Sequence, residues 1–388
     1  MNPSSFSQED IKVNLLLLLL GASTIIIGGG LYEIEAMPKD EYLVSILAII
    51  MLGASYALSK KSDFVEPSLI IGYLIFNAYF CIRLLFSDYH EIEIKTYLLH
   101  FISLGLFVSF YTATKLLLAY NNPHRHYPNK DILIIFILLA LACLLGGQIF
   151  QIFTAERIFG SRPGGFLNPN TTAALALMFL YATTLMVPQK RKLWLFAGFG
   201  LSTLIIFITQ SRASLIILLP YLLYVLFTNR DKMITRVFIA ALILILIIIL
   251  ATHPDLYQMI LTAADRFKGD YNSDVRADIA LTALSDFMKA PVWGHGYQYL
   301  MAIYDLGSHN QITEILVSYG VLGILIIGVS CYFLYLPCSI LFLVFCVAPT
   351  LIFSHNFFEI YHFQAILGFS LAIDRYYRNP AYKEITDQ

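Results

Sequence analysis

Twelve apolar stretches dominate this chain of 388 residues, at about 13–31, 42–58, 68–86, 97–119, 131–150, 171–187, 193–209, 213–228, 235–252, 311–334, 339–353 and 358–373. Each is at or near the length at which a helix crosses the hydrocarbon core of a bilayer, a solvent in which a helix satisfies its backbone N–H and C=O groups internally. The pattern predicts an all-α integral membrane protein with about twelve transmembrane helices. Composition agrees, at 58% hydrophobic and 13% charged residues, far from the soluble average. The first run, behind Lys12, is long enough to span and is followed by many more. It therefore reads as the first transmembrane helix and not as a cleaved signal.

Net charge is −1, which excludes a nucleic-acid partner, since that needs a strongly basic face. The distribution of the basic residues is more informative. With a cytoplasmic N-terminus, Lys60, Lys61, Lys115, Lys190, Arg191, Lys192, Arg230, Arg375 and Arg378 fall inside with six others, and nine basic residues fall outside. The inside loops are also the shorter ones, as the positive-inside rule requires. Both termini are thus expected in the cytoplasm. Residues 1–388 read as a single membrane domain, without repeat, low-complexity segment or linker. Its one large exterior loop, 253–310, joins predicted helices 9 and 10.

The five cysteines all lie in apolar runs with no companion at metal-ligand spacing, so they read as small core residues. "DYNSD" at 270–274 starts like a calcium loop, but Val275 and Leu281 stand where such a loop needs glycine and glutamate. No metal or other cofactor is expected.

Chemistry-bearing residues gather on the exterior side. In "GSRPGGFLNPN" (160–170) the Pro163-Gly164-Gly165 and Asn168-Pro169 pairs make turns, and Asn170 or Thr171 caps the next helix. There Arg162, with Arg157 nearby, can face an anion while glycine amides and a helix start add donors; an ordinary interhelical loop is the plainer alternative. "TQSRAS" puts Arg212 at the outer start of a span, where a charge within hydrocarbon costs about 3 kcal/mol by insertion scales unless it snorkels to the interface. "SDVRADIALTALSDFMKAP" carries a helical stripe of Ala277, Ala280, Leu281, Leu284, Phe287 and Met288, suited to a surface helix, with Ser273 as N-cap and Pro291 beyond its end. Arg276 is expected in its first turn, where the macrodipole disfavours a cation, so it points to a ligand or a salt bridge. "WGHG" and "GSHNQITEILVSYGVLG" follow, setting His309 and Asn310 at the outer start of the next span with Glu314 close by. His309 is a candidate general base or phosphate donor, and His295 an interface residue.

The segments "GGFLNPNTTAALAL", "TQSRASLIILLP", "VRADIALTALSDFMKAPVWGHG" and "SHNQITEILVSYGVLGI" together resemble, in order and spacing, the O-antigen ligase and O-antigen polymerase superfamily of bacterial envelope glycan assembly. The resemblance covers about 155–330. It implies a GT-C-like membrane glycosyltransferase of the bacterial inner membrane, with its active site on the periplasmic face. Such an enzyme takes a glycan from undecaprenyl diphosphate and passes it to an acceptor, without metal and with inversion at the anomeric carbon. The acceptor is lipid A-core for an O-antigen ligase in lipopolysaccharide biosynthesis, or the growing polysaccharide for a polymerase. By that resemblance Arg212, Arg276 and His309 are the catalytic residues. Arg212, Arg276, Arg162, Arg157 and Asn170 are the expected contacts of the diphosphate, and Glu314 and Asp278 are alternative bases.

Two other classes compete. An anion transporter would use Arg212 and Arg276 on a permeant solute, with Arg83 along its path, but the polar residues collect at one face and not at mid-membrane. A non-catalytic scaffold would tolerate loss of every arginine named.

Overall fold

In the computed structural model the described residues are 66–85, 90–119, 129–154, 165, 167–186, 192–228, 271–296, 299, 311–353, 357–358 and 360–378. Among them all regular structure is helical: α1 (Pro67–Leu85), α2 (His90–Ala119), α3 (Asn129–Thr154), α4 (Pro169–Met186), α5 (Lys192–Thr209), α6 (Arg212–Thr228), α7 (Tyr271–Lys289) and α8 (Gln311–Tyr335). Helix α9 combines Ile340–Phe342, a π-helical turn Leu343–Val347 and Ala348–Phe353, and α10 is Tyr361–Arg378. Every expected span that falls on described residues is a helix. Those at 13–31, 42–58 and 235–252 lie outside them, as does most of 253–310. Among the described residues, four segments are long and apolar enough to cross a membrane: Pro67–Leu85, Tyr97–Leu118, Asp131–Ile152 and Gln311–Tyr335.

Helix starts follow local chemistry. α1 and α4 open on prolines, whose missing N–H belongs to the unsatisfied first turn. Pro169 moves the cap of α4 back by one residue: Asn168 Oδ1 accepts from the Asn170 amide at 3.0 Å, so Asn168 is the cap and not Asn170 or Thr171. α9 is capped by Ser339, whose Oγ accepts from the Phe342 amide at 2.8 Å.

The centre of the bundle is α2, α4 and α10. In α10 every residue from His362 to Asp374 is buried, and α4 is buried nearly throughout, the signature of helices surrounded by protein on all sides. A Cβ on Gly368 would overlap the Phe107 carbonyl, so a glycine sets the close crossing of α10 on α2. Outer helices keep apolar faces exposed, with Leu74 and Ile82 on α1, Leu139 on α3, and Leu325 and Tyr332 on α8. Such faces suit lipid. The five thiols are unpaired; Cys346 is buried as expected, whereas Cys81 is exposed on the outer face of α1.

Two ionic networks fix the polarity of the helices. Glu66, at the head of α1, binds Lys115 of α2 at 2.8 Å and also pairs with Arg375 of α10 and the Tyr111 hydroxyl. The Arg375 guanidinium also donates to the Leu336 carbonyl at 2.8 Å and the Pro337 carbonyl at 2.9 Å, and lies over the Tyr111 ring. Beside it the buried Asp374 accepts from Tyr181 of α4 at 2.5 Å and from the Ser339 amide at 2.9 Å, and pairs with Arg378 at 2.9 Å. These contacts gather the start of α1 and the ends of α2, α4, α8 and α10 at one end of the bundle. The end of α1 and the start of α4 therefore lie at the other.

Burial alone raises the Glu66 pKa, but the Lys115 and Tyr111 hydrogen bonds and the Arg375 charge outweigh it and hold the carboxyl below its ordinary 4.5. A depressed native pKa contributes stability that is present above the unfolded value and lost as pH falls through the native one. Glu66→Gln is therefore expected to lower stability at neutral pH by about 1 kcal/mol, since the network it breaks is half-buried and partly screened by solvent. The gap to wild type should close below pH 4.5 in thermal unfolding followed in detergent; a gap independent of pH would contradict this account.

Candidate functional site at the end opposite the ionic networks

Helix α8 is not the straight span expected for 311–334. Gly320 has φ 65° and ψ −167°, a region open in practice only to glycine, and the helix breaks there. A straight helix of 25 residues holds its ends about 36 Å apart. Yet the Phe357 amide donates to Gln311 at 2.8 Å while the Phe357 ring lies 6.3 Å from that of Tyr335. One phenylalanine reaches both ends because the Gln311–Tyr319 arm folds away from the rest.

The break is filled by the turn that follows α7. The amides of His295 and Gly296 donate to the carbonyls of Val317 and Ser318, each at 2.9 Å. The amides of Val321 and Leu322 donate to Pro291 and Val292 at 2.9 and 3.2 Å. Carbonyls and amides orphaned by the break thus find partners in "PVWGHG". Gly294 (φ 72°) lies so close that a Cβ would come within 2.5 Å of the Ser318 backbone. His295 serves this turn: its Nε2 is 2.7 Å from the Asp286 carbonyl and its ring stacks on Tyr299 at 4.3 Å. That is a packing role within the turn.

Against this turn packs the end of α1. Arg83 is only 6% exposed; its Nη2 donates to the Ser318 carbonyl at 3.4 Å and its guanidinium sits 5.6 Å from the Trp293 ring. Below it, Phe76, Phe80, His100, Tyr319 and Phe358 form an aromatic floor. Glu314, buried on the Gln311–Tyr319 arm, accepts from the Ser318 hydroxyl at 3.2 Å.

α7 differs from expectation in two ways. It starts at Tyr271, so Ser273 lies in its first turn instead of capping it, and Arg276 falls in the second turn; the macrodipole argument for a ligand at Arg276 weakens accordingly. The face set against α8 is Ile279, Ala283 and Asp286, while Leu281 and Met288, 67% and 69% exposed, point away. Leu281, Leu284 and Met288 thus form an outward face, as suits a helix on a membrane surface, while Phe287 packs against Ala283 and Val317.

The loop before α4 is tied to α3, where the Gly165 amide donates to Gln151 at 3.0 Å. Gln148 in turn donates to the Ile205 carbonyl of α5 at 3.3 Å. Arg212 is the first residue of α6, entered through Gln210 (φ 52°) and Ser211, whose carbonyl accepts the first helical hydrogen bond from Leu215 at 2.9 Å. Asn170 is exposed in the first turn of α4. The backbone thus brings the loop before α4, the α5–α6 junction and the α7–α8 turn to one end of the bundle, together with Arg83. The side chains of Arg212, Arg276 and Asp278 lie outside the described residues, as do Arg157, Arg162 and His309 entirely. Among the described residues no group of three His, Cys, Asp or Glu side chains could hold a metal ion. Sequence reasoning missed Gln148, Gln151, Trp293, Ser318 and the break at Gly320. The only signal for the break was a glycine within "VSYGVLG".

Apolar helices long enough to span, with a polar, glycine-dependent assembly at one end of the bundle, fit a multi-pass membrane protein. Residues 197–328, about a third of the chain, match the family model Wzy_C, described as O-antigen ligase. That stretch is thus similar to the domain shared by O-antigen ligases and polymerases. Among curated proteins none matches the chain.

Proposed function

We propose that the protein is an O-antigen ligase of the bacterial inner membrane, transferring a glycan from undecaprenyl diphosphate to lipid A-core at the periplasmic face. The observation that carries this reading is the assembly at α8: α7, the "PVWGHG" turn and the broken start of α8 lie within the matched stretch and interlock through backbone hydrogen bonds. A site built on one end of the bundle suits a substrate with its tail in lipid and its sugar in water.

In this reading Arg212 and Arg276 grip the diphosphate, with Arg162, Arg157 and Asn170 assisting from the loop before α4. A unit charge pair at 4 Å contributes about 4 kcal/mol at an effective dielectric near 20, before desolvation is subtracted. Charge developing on the departing diphosphate is where fixed cations act most. The acceptor hydroxyl oxygen attacks the anomeric carbon as the bond from that carbon to the diphosphate oxygen breaks. His309 takes the hydroxyl proton, and attack from the face opposite the leaving group inverts the centre. No metal or cofactor enters this scheme. Both termini are cytoplasmic and the loop 253–310 is periplasmic, which sets the ionic networks of Glu66 and Asp374 on the cytoplasmic side.

The test is incubation of the purified protein, without nucleotide, with undecaprenyl-diphosphate glycan and either lipid A-core or more of the same lipid-linked glycan. Product on lipid A-core is the expected result. Longer chains on the carrier would instead make the protein a polymerase of the same superfamily, and no transfer in either mixture would sink the enzyme reading.

A further inference from the structure

Buried Arg83 and half-buried Arg375 differ in how their charge is met. Arg375 holds a carboxylate, two close backbone carbonyls and an aromatic face. Arg83, 6% exposed, has a long hydrogen bond to the Ser318 carbonyl, the Trp293 ring, and no partner at Nε. No described carboxylate forms an ion pair with it. The Ser318 carbonyl is already shared, since it accepts from the Gly296 amide at 2.9 Å. A guanidinium stays protonated and carries five donors, and a buried charge is stable only when paired and hydrogen-bonded. Arg83 is therefore a cation with donors to spare. It is placed against the break of α8, which lies within the matched stretch.

We infer that Arg83 is a donor-binding residue whose Nε–H and remaining Nη hydrogens hold a phosphate oxygen of the lipid diphosphate. This rests on the function proposed above and extends it, because α1 lies outside the matched stretch 197–328: the site is completed by a helix that the family domain does not contain. Trp293 forms its wall. The guanidinium over the indole face keeps the fork oriented by a cation–π contact. The Ser318 carbonyl, fixed by the Gly296 amide, stops Arg83 from swinging out to the interface. A planar fork that is positioned in advance loses less entropy when it meets phosphate than a lysine does.

The chain has two tryptophans, so a Trp194→Phe background leaves Trp293 as the sole indole reporter. In neutral maltoside detergent, titration of the full-length protein with inorganic pyrophosphate should change Trp293 emission saturably. The midpoint should rise at least tenfold in Arg83→Met, in line with loss of one charge-assisted contact of about 1.5 kcal/mol or more, and by less in Arg83→Lys. Should Arg83→Met fail to fold, a weakened midpoint in Arg83→Lys carries the same weight, because it keeps the charge and loses the fork. Midpoints indifferent to Arg83, or no saturable change in the parent, would overturn the inference. So would a response to phosphatidylglycerol vesicles with none to pyrophosphate, which would make Arg83 a headgroup site. This titration needs no acceptor and no turnover. A protein that binds pyrophosphate through Arg83 but transfers to neither acceptor refutes only the proposed function, and one that transfers while its titration ignores Arg83 refutes only this assignment.

Discussion

Arg212→Ala and Arg276→Ala are each expected to lower glycan transfer by about 10²–10³-fold, the range seen when a single preorganised donor to developing negative charge is removed. The loss should appear mainly in kcat, since the charge on the diphosphate grows as the sugar departs. Arg→Lys at either position should recover part of the rate, because a lysine keeps the charge and loses the bidentate fork. His309→Ala should abolish the step that needs a proton acceptor, and its pH profile should lose the limb that a histidine supplies. Arg212 starts α6 and Arg276 lies within α7, and alanine is compatible with a helix at both positions. Membrane insertion should be unchanged. Near-normal rates in both arginine variants would remove the diphosphate clamp.

Residues whose role is local were legible in the sequence. Among the described residues the apolar runs located the helices, most ends to within a few residues, because crossing a membrane demands length and hydrophobicity and both are read directly along the chain. Errors at helix ends came from single residues. Pro169 shifted a cap to Asn168, and the polar "YNSD" at 271–274 joined α7 instead of preceding it. What stayed hidden depends on partners far apart in sequence. Glu66 meets Arg375 across 309 residues, and nothing near either one announces the other. Arg83 reads as a cation near the end of an apolar run until the structure sets it over Trp293 and beneath Ser318. The same holds for α8, whose run from Gln311 to Tyr335 has the composition of one continuous span. A glycine in an apolar run says nothing of its φ, and only the turn at 290–296 explains why this one must be left-handed.

Gly320→Ala should therefore be among the most damaging single changes outside the arginines. At φ 65° and ψ −167° a side chain adds strain of about 1–3 kcal/mol, and a Cβ would overlap the Val292 carbonyl and stand 2.8 Å from the Gly294 amide. Both neighbours are backbone, so no side chain can rotate out of the way. Relief requires the turn to withdraw, which breaks the hydrogen bonds at His295, Gly296, Val321 and Leu322, each a net contribution of about 1 kcal/mol. The Ser318 carbonyl that Arg83 bonds and the Trp293 ring move with it. Transfer should fall by more than tenfold, since a misplacement of about 1 Å in a catalytic constellation can cost 10²-fold, and limited proteolysis within 290–296 should rise. The Glu66 and Asp374 networks lie at the far end of the bundle, so helical content should hold. Gly328→Ala provides the contrast. It lies on the same helix with open space around its Cβ, and there alanine should stabilise by up to about 1 kcal/mol through helix propensity. Equal behaviour of the two variants, in activity and in proteolysis, would mean that the break of α8 plays no part in forming the site.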